Sequence, residues 1–535
     1  MRLSHWVACL VLIATAAVAC EPGVNPTPSP TPLAFDQTLS FPIAQDVAEL
    51  DPALISSPAD VDILRNVYSG LYRFDDQLHE VPDIAAGQPA ISADGREYTF
   101  TLRPDTRFSN GDPITAADFR YSWTRATVKQ GDYAWLFSVI ANVTAVDATT
   151  LRVRLVKPAS YFLTLVGLWP YWVVDQKVIE SAGEDSWFTK PETLVGSGPF
   201  RMTARTPGKS IDFEPVLGWY GGSTGVLSRV HVEVVPDLAA QVSQYEAGVF
   251  SLIGYARQGL SAEAATRYTS DEGIKKQLAL VPQGVTFWVG FNLKSGPFAG
   301  AAPGRPGRHA FSLAIDRTAL LEAVCNQGTA CTAAGGGAVS KGLRGYLGDG
   351  ADPNVKFDPA AAKAEYQAWD PTGAKVKNLA YTYDIGPFNK AVCANLVAQW
   401  KANLGVTVRC SEWDRKNFLD RRNGRCGFPL FRQSWVADYD HPQDWFDYLF
   451  VTGAPSSGSC YSNPKLDQAI AKADATRPGE LDTGYESAGH MLLDDSVLAG
   501  LLYGVQPYLV HPYVTGAGGN ALYDNSWTSV RIYAR

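Results

Sequence analysis

The sequence predicts an α/β protein of two lobes, with a β-rich segment inserted in the first half of the chain. The prediction rests on helical and alternating apolar patterns that follow one another along the chain. Helices that alternate with strands are typical of βαβ units, so we expect largely parallel sheets. The length of 535 residues fits about three domains. The contents of 46% hydrophobic and 19% charged residues are those of an ordinary globular protein.

The first half of the chain contains alternating and helical apolar patterns in turn. Alternation predicts strands over 39–43, 97–102, 151–155 and 230–235. Helical spacing predicts helices over 61–71, 117–127 and 238–248. Gly70 is a natural end for the first helix, and Thr115 is a natural N-cap for the second.

The second half continues with regular alternation of the two kinds of element. After an apolar strand over 285–291, the pattern predicts helices over 309–325 and 389–403. It predicts strands over 378–383 and 405–410. We find no internal repeat of the length that solenoids or propellers use.

Residues 1–20 have the features of a secretory signal, with Arg2 before an apolar core and small residues before Cys20. The core is too short to stay in a bilayer as a spanning helix. The run Ala17-Val18-Ala19-Cys20 resembles the lipobox of bacterial lipoproteins, which implies that Cys20 becomes the lipidated first residue of the mature protein. Ordinary signal cleavage near this point is the alternative. Residues 21–35 are rich in proline and predict a stiff tether.

Six more cysteines follow residue 300, and none lies between 21 and 324. An even number in an exported chain is typical of disulfides. Many connectivities are open, and pairing of nearest neighbours closes the shortest loops. A zinc site is the alternative, but the histidines are scattered and no CxxC is present, so we expect no metal. The disulfide candidates are Cys325, Cys331, Cys393, Cys410, Cys426 and Cys460.

The sequence contains no motif that predicts catalysis. It has neither a GxSxG nucleophile elbow nor an HExxH metal site. Lys209-Ser210 resembles the end of a phosphate-binding loop, but Thr203 stands where the first glycine is required. The net charge of −8, without a long basic run, argues against nucleic acid as a partner. We therefore expect neither an enzyme nor a cofactor.

Several segments resemble the peptide, dipeptide and oligopeptide class (family 5) of extracellular solute-binding proteins of bacterial ABC importers. They keep their order over about residues 36–515, and Asn110 departs from the aspartate that the family usually has. The most specific are FSNGDPITAADF at 108–119, GSGPF at 196–200, AIDR at 314–317 and WVADYDHP at 435–442.

The resemblance implies a fold like that of type II periplasmic binding proteins, whose two lobes close over a ligand about two hinge crossings. It places the hinge near 286–292 and 503–506. Lobe one is then 36–68, 191–287 and 506–535, the insertion is 69–190, and lobe two is 288–505. Below, these ranges are called lobe one, the insertion and lobe two.

The resemblance also implies how a peptide of any sequence is held, through its main chain and its charged ends. Asp438 would anchor the α-ammonium group, with capping of local amides as the alternative role. Arg432 would meet a ligand carboxylate, unless it is an ordinary surface arginine. Main-chain groups would come from Ser434 and Val436 on one side of the peptide and from Ser56 and Ser57 on the other. The pocket walls would be Trp435, Trp288, Tyr503 and either Tyr133 or Trp135.

The resemblance implies an exported monomer that is anchored to the membrane through Cys20 and faces the periplasm or the outer cell surface. Its partners would be a peptide and the permease subunits of an ABC transporter. The alternatives are an oligosaccharide or metal-chelate receptor of the same fold, an exported hydrolase, and a scaffold or adhesin. Asp438 distinguishes a peptide receptor from a sugar receptor, because a neutral sugar has no charged group for a carboxylate to bind.

Overall fold

The computed structural model describes residues 31–478 and 483–535. The predicted signal peptide, Cys20 and most of the predicted tether lie outside the described residues. Within the described ranges, none of the helices has both the length and the apolar character that crossing a bilayer requires.

The elements follow one another as a mixture of helices and strands. The strands are β1 (Thr38–Ile43), β2 (Tyr72–Phe74), β3 (Glu80–Pro82), β4 (Ala90–Ile91), β5 (Glu97–Thr101), β6 (Ile140–Ala145), β7 (Thr150–Leu155), β8 (Phe200–Thr206), β9 (Ser210–Pro215), β10 (Arg229–Val234), β11 (Leu252–Ile253), β12 (Leu278–Phe291), β13 (Cys331–Ala333), β14 (Ala380–Asp384), β15 (Arg409–Trp413), β16 (Leu430–Val436), β17 (Leu498–Val510), β18 (Val514–Thr515) and β19 (Arg531–Ile532). The helices are α1 (Pro58–Leu64), α2 (Ala116–Lys129), α3 (Phe162–Leu165), α4 (Gln176–Ala182), α5 (Leu238–Glu246), α6 (Ala262–Ser270), α7 (Ala301–Leu313), α8 (Arg317–Val324), α9 (Pro359–Trp369), α10 (Pro387–Leu404), α11 (Arg415–Arg422), α12 (Gln443–Leu449), α13 (Pro464–Asp474) and α14 (Gly484–Asp494).

Lobe one is built on a four-stranded sheet in the order β1-β10-β9-β8. Alternate residues of these strands are buried, as the alternating sequence pattern requires. Trp527 from the C-terminal segment packs on Phe41, Phe200 and Phe213, with ring centroids 5.1–6.2 Å apart. The end of the chain thus returns to the core of the lobe in which the described chain begins.

The insertion has its own antiparallel sheet in the order β4-β5-β7-β6, with α2 beside it. The helix α2 begins after Thr115, as predicted, and the Asp118 carboxylate accepts a hydrogen bond from the Thr115 backbone N–H at 2.9 Å. Arg125 of α2 donates two hydrogen bonds to the fully buried carboxylate of Asp51. This bidentate pair ties the insertion to the turn of lobe one that precedes α1.

Two long antiparallel strands, β12 and β17, run from lobe one into lobe two. Their pairing extends from Leu278 opposite Leu509 to Gly290 opposite Leu498, with an irregularity between Pro282 and Thr286. At the lobe-one end β17 also pairs with β11, and at the lobe-two end β12 pairs with β16. The two-lobed α/β architecture with an inserted β-rich segment is therefore confirmed, and the irregularity in β12 lies beside the predicted hinge.

The prediction of largely parallel sheets is wrong. In the described part of the chain the parallel pairings are β1 with β10 and β14 with both β15 and β16, and the other pairings are antiparallel. The reason is topological, because a chain that leaves a lobe on one strand and returns on its neighbour must pair the two antiparallel. Local periodicity carries no information about that return.

Three predicted elements have different bounds in the structure. The helix predicted over 309–325 is two helices, α7 and α8, because Asp316 caps a new helix by accepting from Thr318 N–H and Ala319 N–H. The helix predicted over 61–71 is α1, which begins at Pro58 and ends at Leu64. The strand predicted over 405–410 starts later, because Gly405 ends α10 in the left-handed conformation with φ of +78°.

The six cysteines of lobe two form three disulfides between nearest neighbours. The pairs are Cys325–Cys331, Cys393–Cys410 and Cys426–Cys460, with Cα atoms 5.0, 6.0 and 5.9 Å apart. The expected disulfides are confirmed, and their connectivity, which the sequence left open, is the one that closes the shortest loops. Each bridge limits the unfolded chain and contributes about 2–4 kcal/mol to stability.

The insertion also contacts lobe two directly. The guanidinium of Arg344 in lobe two binds both Glu80 of the insertion and Asp440 of its own lobe. The backbone N–H of Ser160 donates to the Asp474 carbonyl across the same boundary, at 2.8 Å. These contacts place the insertion opposite the end of β16, where the candidate site lies.

Candidate ligand-binding cleft

An open cavity of about 570 Å³ lies between the insertion and lobe two. Its insertion side carries Asp132, Tyr133, Trp135 and Ser138, and its lobe-two side carries Trp435, Asp438, Tyr448, Pro455 and Ser456. Ser56, in the turn before α1, completes the lining. A second cavity of about 300 Å³, where lobe one meets the insertion, contains none of the predicted site residues.

Asp438 lies where the two sides of the cavity meet. The Tyr133 hydroxyl donates to Asp438 Oδ1 at 3.2 Å, across 305 positions of sequence. The backbone N–H of Asp438 and the indole N–H of Trp435 both donate to Asp444 Oδ2, at 3.1 and 3.0 Å. The carboxylates of Asp438 and Asp444 therefore form a pair at the end of β16. Asp438 lines the cavity, and Asp444 does not.

Burial controls the charge of this pair. It raises the pKa of Asp438 to about 6. Burial, followed by the neighbouring charge of Asp438, raises the pKa of Asp444 well above its ordinary value. Asp444 is fully buried and Asp438 is only partly buried, so burial favours the protonated form more strongly at Asp444. The pair then presents one negative charge to the cavity, at Asp438 Oδ1.

Aromatic rings form the walls around this carboxylate. Trp435 and Tyr448 stack with an interplanar angle of 11° and centroids 6.0 Å apart, and Trp135 meets Tyr448 edge-on at 4.8 Å. Tyr133 meets Trp169 edge-on at 4.7 Å. These contacts hold the rings in fixed orientations, so the cavity has preformed aromatic walls around the Asp438 carboxylate.

One edge of β16 is open beside the cavity. Along a strand, the main-chain N–H and C=O groups of successive residues point to alternate sides. The Ala437 N–H points toward β12, where it donates to the Gly284 carbonyl. The main-chain groups of Ser434 and Val436 therefore point away from β12. Arg422 binds the carbonyl of Arg432 on that same outer side. Among the described residues, β14 covers this edge only opposite Leu430 and Phe431. The last residues of β16 therefore present free main-chain donors and acceptors.

The structure brings together most of the predicted site. Asp438, Trp435, Tyr133 and Ser56 line one cavity, and Trp135 lies there as well. The main-chain groups of Ser434 and Val436 lie at the adjoining open edge. Ser57 is the N-cap residue of α1, next to Ser56, and does not line the cavity.

Two predicted site residues, Trp288 and Tyr503, have other roles. Trp288 is 3% exposed and packs on Phe450 in the core. Tyr503 is 2% exposed, and its hydroxyl donates to the Gly337 carbonyl and accepts from the Gly336 N–H, both at 2.9 Å. Neither lines the cavity, because the stretches of β12 and β17 that carry them are buried.

The prediction for Arg432 is also corrected. Its guanidinium lies 3.3 Å from the buried carboxylate of Asp384, which also binds Arg415. Arg432 is three positions before Trp435 and so lies on the opposite face of β16. An internal ion pair therefore occupies the group that was expected to meet a ligand.

Sequence reasoning missed Asp132, Asp444 and Tyr448. Asp444 and Tyr448 are four residues apart on α12, which places them on one face of that helix. That spacing, just after Asp438, was a usable pattern. Asp132 directly precedes Tyr133, and only the fold shows that both lie opposite Asp438.

The comparisons with known proteins agree with this architecture. Residues 79–457 match the family described as bacterial extracellular solute-binding proteins, family 5, middle region. The periplasmic murein peptide-binding protein MppA of Escherichia coli is 26% identical over 543 residues, covering 95% of each chain. The periplasmic oligopeptide-binding protein OppA of Salmonella typhimurium is 25% identical, over 96% of this chain and 95% of that protein.

A solved structure is similar over almost its whole length. The unliganded open form of MppA superposes with a TM-score of 0.82 at 26% identity, covering 95% of this chain and 99% of that one. The two-lobed type II fold is thus the fold of this chain. The matched region spans more than half of the sequence, and the chain belongs to family 5 of the bacterial extracellular solute-binding proteins.

Proposed function

We propose that this protein captures peptides between its two lobes and delivers them to an ABC transporter. The observation that carries the proposal is the position of Asp438 beside the open edge of β16. A carboxylate next to free main-chain groups suits a ligand with an ammonium group at one end and a peptide backbone behind it. The names of the relatives MppA and OppA, a murein peptide-binding and an oligopeptide-binding protein, support the same ligand class.

Binding would proceed in two steps. The α-ammonium group would first replace Tyr133 as the partner of Asp438, while the ligand backbone pairs with Ser434 and Val436. The lobes would then close about the irregular segment of β12 and the facing part of β17. Closure removes the ligand from water and strengthens the charge pair at Asp438.

Native mass spectrometry of the purified protein tests the ligand class. We expect co-purified peptides that are released on denaturation. Recovery of a neutral oligosaccharide would contradict the proposal. The stacked rings of Trp435 and Tyr448 make a sugar the second candidate, because flat aromatic faces suit pyranose rings. A sugar, however, leaves the charge of Asp438 uncompensated.

A lipid anchor on Cys20 is a separate part of the proposal. It is supported by the small residues before Cys20 and the proline-rich segment after it. We expect metabolic labelling with a fatty acid to mark the wild-type protein and not the Cys20→Ser variant. Labelling of both proteins, or of neither, would favour ordinary signal cleavage.

Loss of one main-chain donor tests the pairing of the ligand with β16. Val436→Pro removes an N–H that is directed away from β12, so the pairing within the sheet is kept. One lost hydrogen bond is worth about 0.5–1.5 kcal/mol, so we expect tripeptide affinity to fall by about twofold to tenfold. Val436→Ala keeps the N–H and is the control, with affinity close to wild type in calorimetric titration. Equal tripeptide affinity of Val436→Pro and Val436→Ala would exclude main-chain pairing of the ligand with the Val436 N–H.

The carboxylate pair makes ligand binding depend on pH. Asp438 has a pKa of about 6 in the empty cleft, and an ammonium partner favours its charged form. Below pH 6 the ligand must displace a proton, so we expect affinity to fall by up to about tenfold per unit of pH. Titration at pH 5.5 in two buffers of different ionisation enthalpy should detect the released proton. Constant affinity between pH 5 and 7 would contradict this assignment.

A further inference from the structure

The cavity contains a second carboxylate that the proposed anchoring of the ligand leaves without a partner. Asp132 lines the cavity together with Asp438. Its side chain is exposed and makes no hydrogen bond or ion pair within the described residues. The two basic residues of α2 nearest to it in sequence are already paired, Arg125 with Asp51 and Glu184, and Lys129 with Glu184 and Asp185.

The backbone holds Asp132 at this place. The helix α2 ends with Gln130 in the left-handed conformation, at φ of +51°. Gly131 follows and lies against the backbone of lobe one, where an added Cβ would be only 2.3 Å from the Ala53 carbonyl oxygen. Since the turn is pressed against another segment, the Asp132 carboxylate is carried on a positioned turn and not on a free loop.

The charges of the cavity are unbalanced for a peptide with a neutral side chain. In the part of the chain that the structure describes, the cavity lining contains two carboxylates and no basic residue. The ligand ammonium would compensate Asp438, and Asp132 would remain. When the lobes close, an unpaired carboxylate loses water and is costly, whereas a second cation on the ligand removes that cost.

The position of Asp132 indicates which part of the ligand meets it. Asp132 directly precedes Tyr133, whose hydroxyl contacts the atom that would bind the α-ammonium group. The side chain nearest to Asp132 is then that of the first ligand residue. The faces of Trp135, Trp435 and Tyr448 surround the same space, and aromatic faces attract cations as well as apolar stems.

We propose that Asp132 is a specificity-determining residue that selects peptides whose first residue carries a cationic side chain. The proposal rests on the proposed peptide-binding function and goes beyond it by naming the preferred class of ligand. Selection acts through the unfavourable burial of an unpaired carboxylate as much as through attraction, so neutral first residues are disfavoured.

Calorimetric titration with two matched tripeptides tests this inference. Lys-Ala-Ala and norleucine-Ala-Ala have first side chains of similar length, and only the first has a side-chain charge. We expect wild-type protein to bind the lysine peptide roughly tenfold more tightly. Asp132→Asn should lose most of that preference, because the lysine peptide loses its partner and binds more weakly while the norleucine peptide no longer buries an unpaired carboxylate and binds more tightly. Asp105→Asn removes an exposed carboxylate of the insertion that does not line the cavity, and it should keep the preference.

The outcomes separate this inference from the proposed function. If both tripeptides bind equally to wild type, or if Asp132→Asn keeps the preference, Asp132 does not determine specificity while peptide binding stands. If neither tripeptide binds to wild type, the peptide-binding function is overturned, and the role of Asp132 is overturned with it.

Discussion

Asp438→Asn is expected to lower the affinity for a tripeptide with a free amino end by roughly 30-fold or more. Loss of one partner of a buried charge pair costs about 2–5 kcal/mol, and closure of the lobes would bury this pair. The amide keeps the shape of the side chain and can still accept from the Tyr133 hydroxyl. The change therefore removes charge and leaves the walls of the cavity in place.

The ligand provides the matched control for this variant. N-acetylation of the tripeptide removes the other charge of the pair and should weaken binding to wild type by a similar factor. Because the substitution and the acetylation remove the same charge pair, their effects should not add when the acetylated peptide is titrated into Asp438→Asn. Wild-type protein that binds free and acetylated peptides equally would exclude Asp438 as the ammonium anchor.

Arg308→Met is expected to destabilise lobe two by about 3–5 kcal/mol, the largest effect on stability that we predict. Arg308 is fully buried, and burial lowers its pKa to about 10, so it is still charged at neutral pH. Its guanidinium donates to five carbonyl oxygens, those of Phe298, Gly300, Ala301, Asp495 and Ser496, at 2.6–3.0 Å. Methionine fills similar volume and supplies none of these donors.

Urea unfolding followed by tryptophan fluorescence measures this effect as a lower transition midpoint for Arg308→Met. The control is Arg305→Met, on the same helix. Arg305 is only partly buried and donates to one carbonyl, that of Asp494, so its loss should cost less than about 1 kcal/mol. Equal midpoints for the two variants would show that the fully buried guanidinium of Arg308 contributes no more to stability than the partly buried one of Arg305.

The arginine also illustrates a limit of sequence analysis. The helix predicted over 309–325 omits Arg308, and in the structure this residue joins the start of α7 to the turn before β17. The two segments are 188 positions apart. No local pattern marks an arginine as buried, because its burial depends on carbonyl groups that distant parts of the chain bring together.

The open edge of β16 shows the same limit within the site. The WVADYDHP segment and its family resemblance predicted Asp438, Trp435 and the main-chain groups of Ser434 and Val436. The same reasoning assigned Arg432, Trp288 and Tyr503 to the cavity, where they do not lie. Alternation along a strand predicts that neighbours face opposite ways, but only the packed sheet shows which face meets the ligand space.

The sequence by itself determined the local features of this protein. These are the position of several helices and strands, the cap at Thr115, the expectation that the six cysteines form disulfides and the family segments. Each depends on residues close together in the chain, where periodicity, capping and loop length act directly.

Only the tertiary structure decided the features that join distant parts of the chain. The antiparallel pairing of β12 with β17 links strands more than 200 positions apart, and the contact of Tyr133 with Asp438 spans 305 positions. The raised pKa values of Asp438 and Asp444 depend on burial inside that assembled cleft, and the place of Asp132 in the cavity lining depends on the same packing. Burial and charge pairing are properties of the packed molecule, because a carboxylate has the same chemistry in any sequence until its neighbours remove its water.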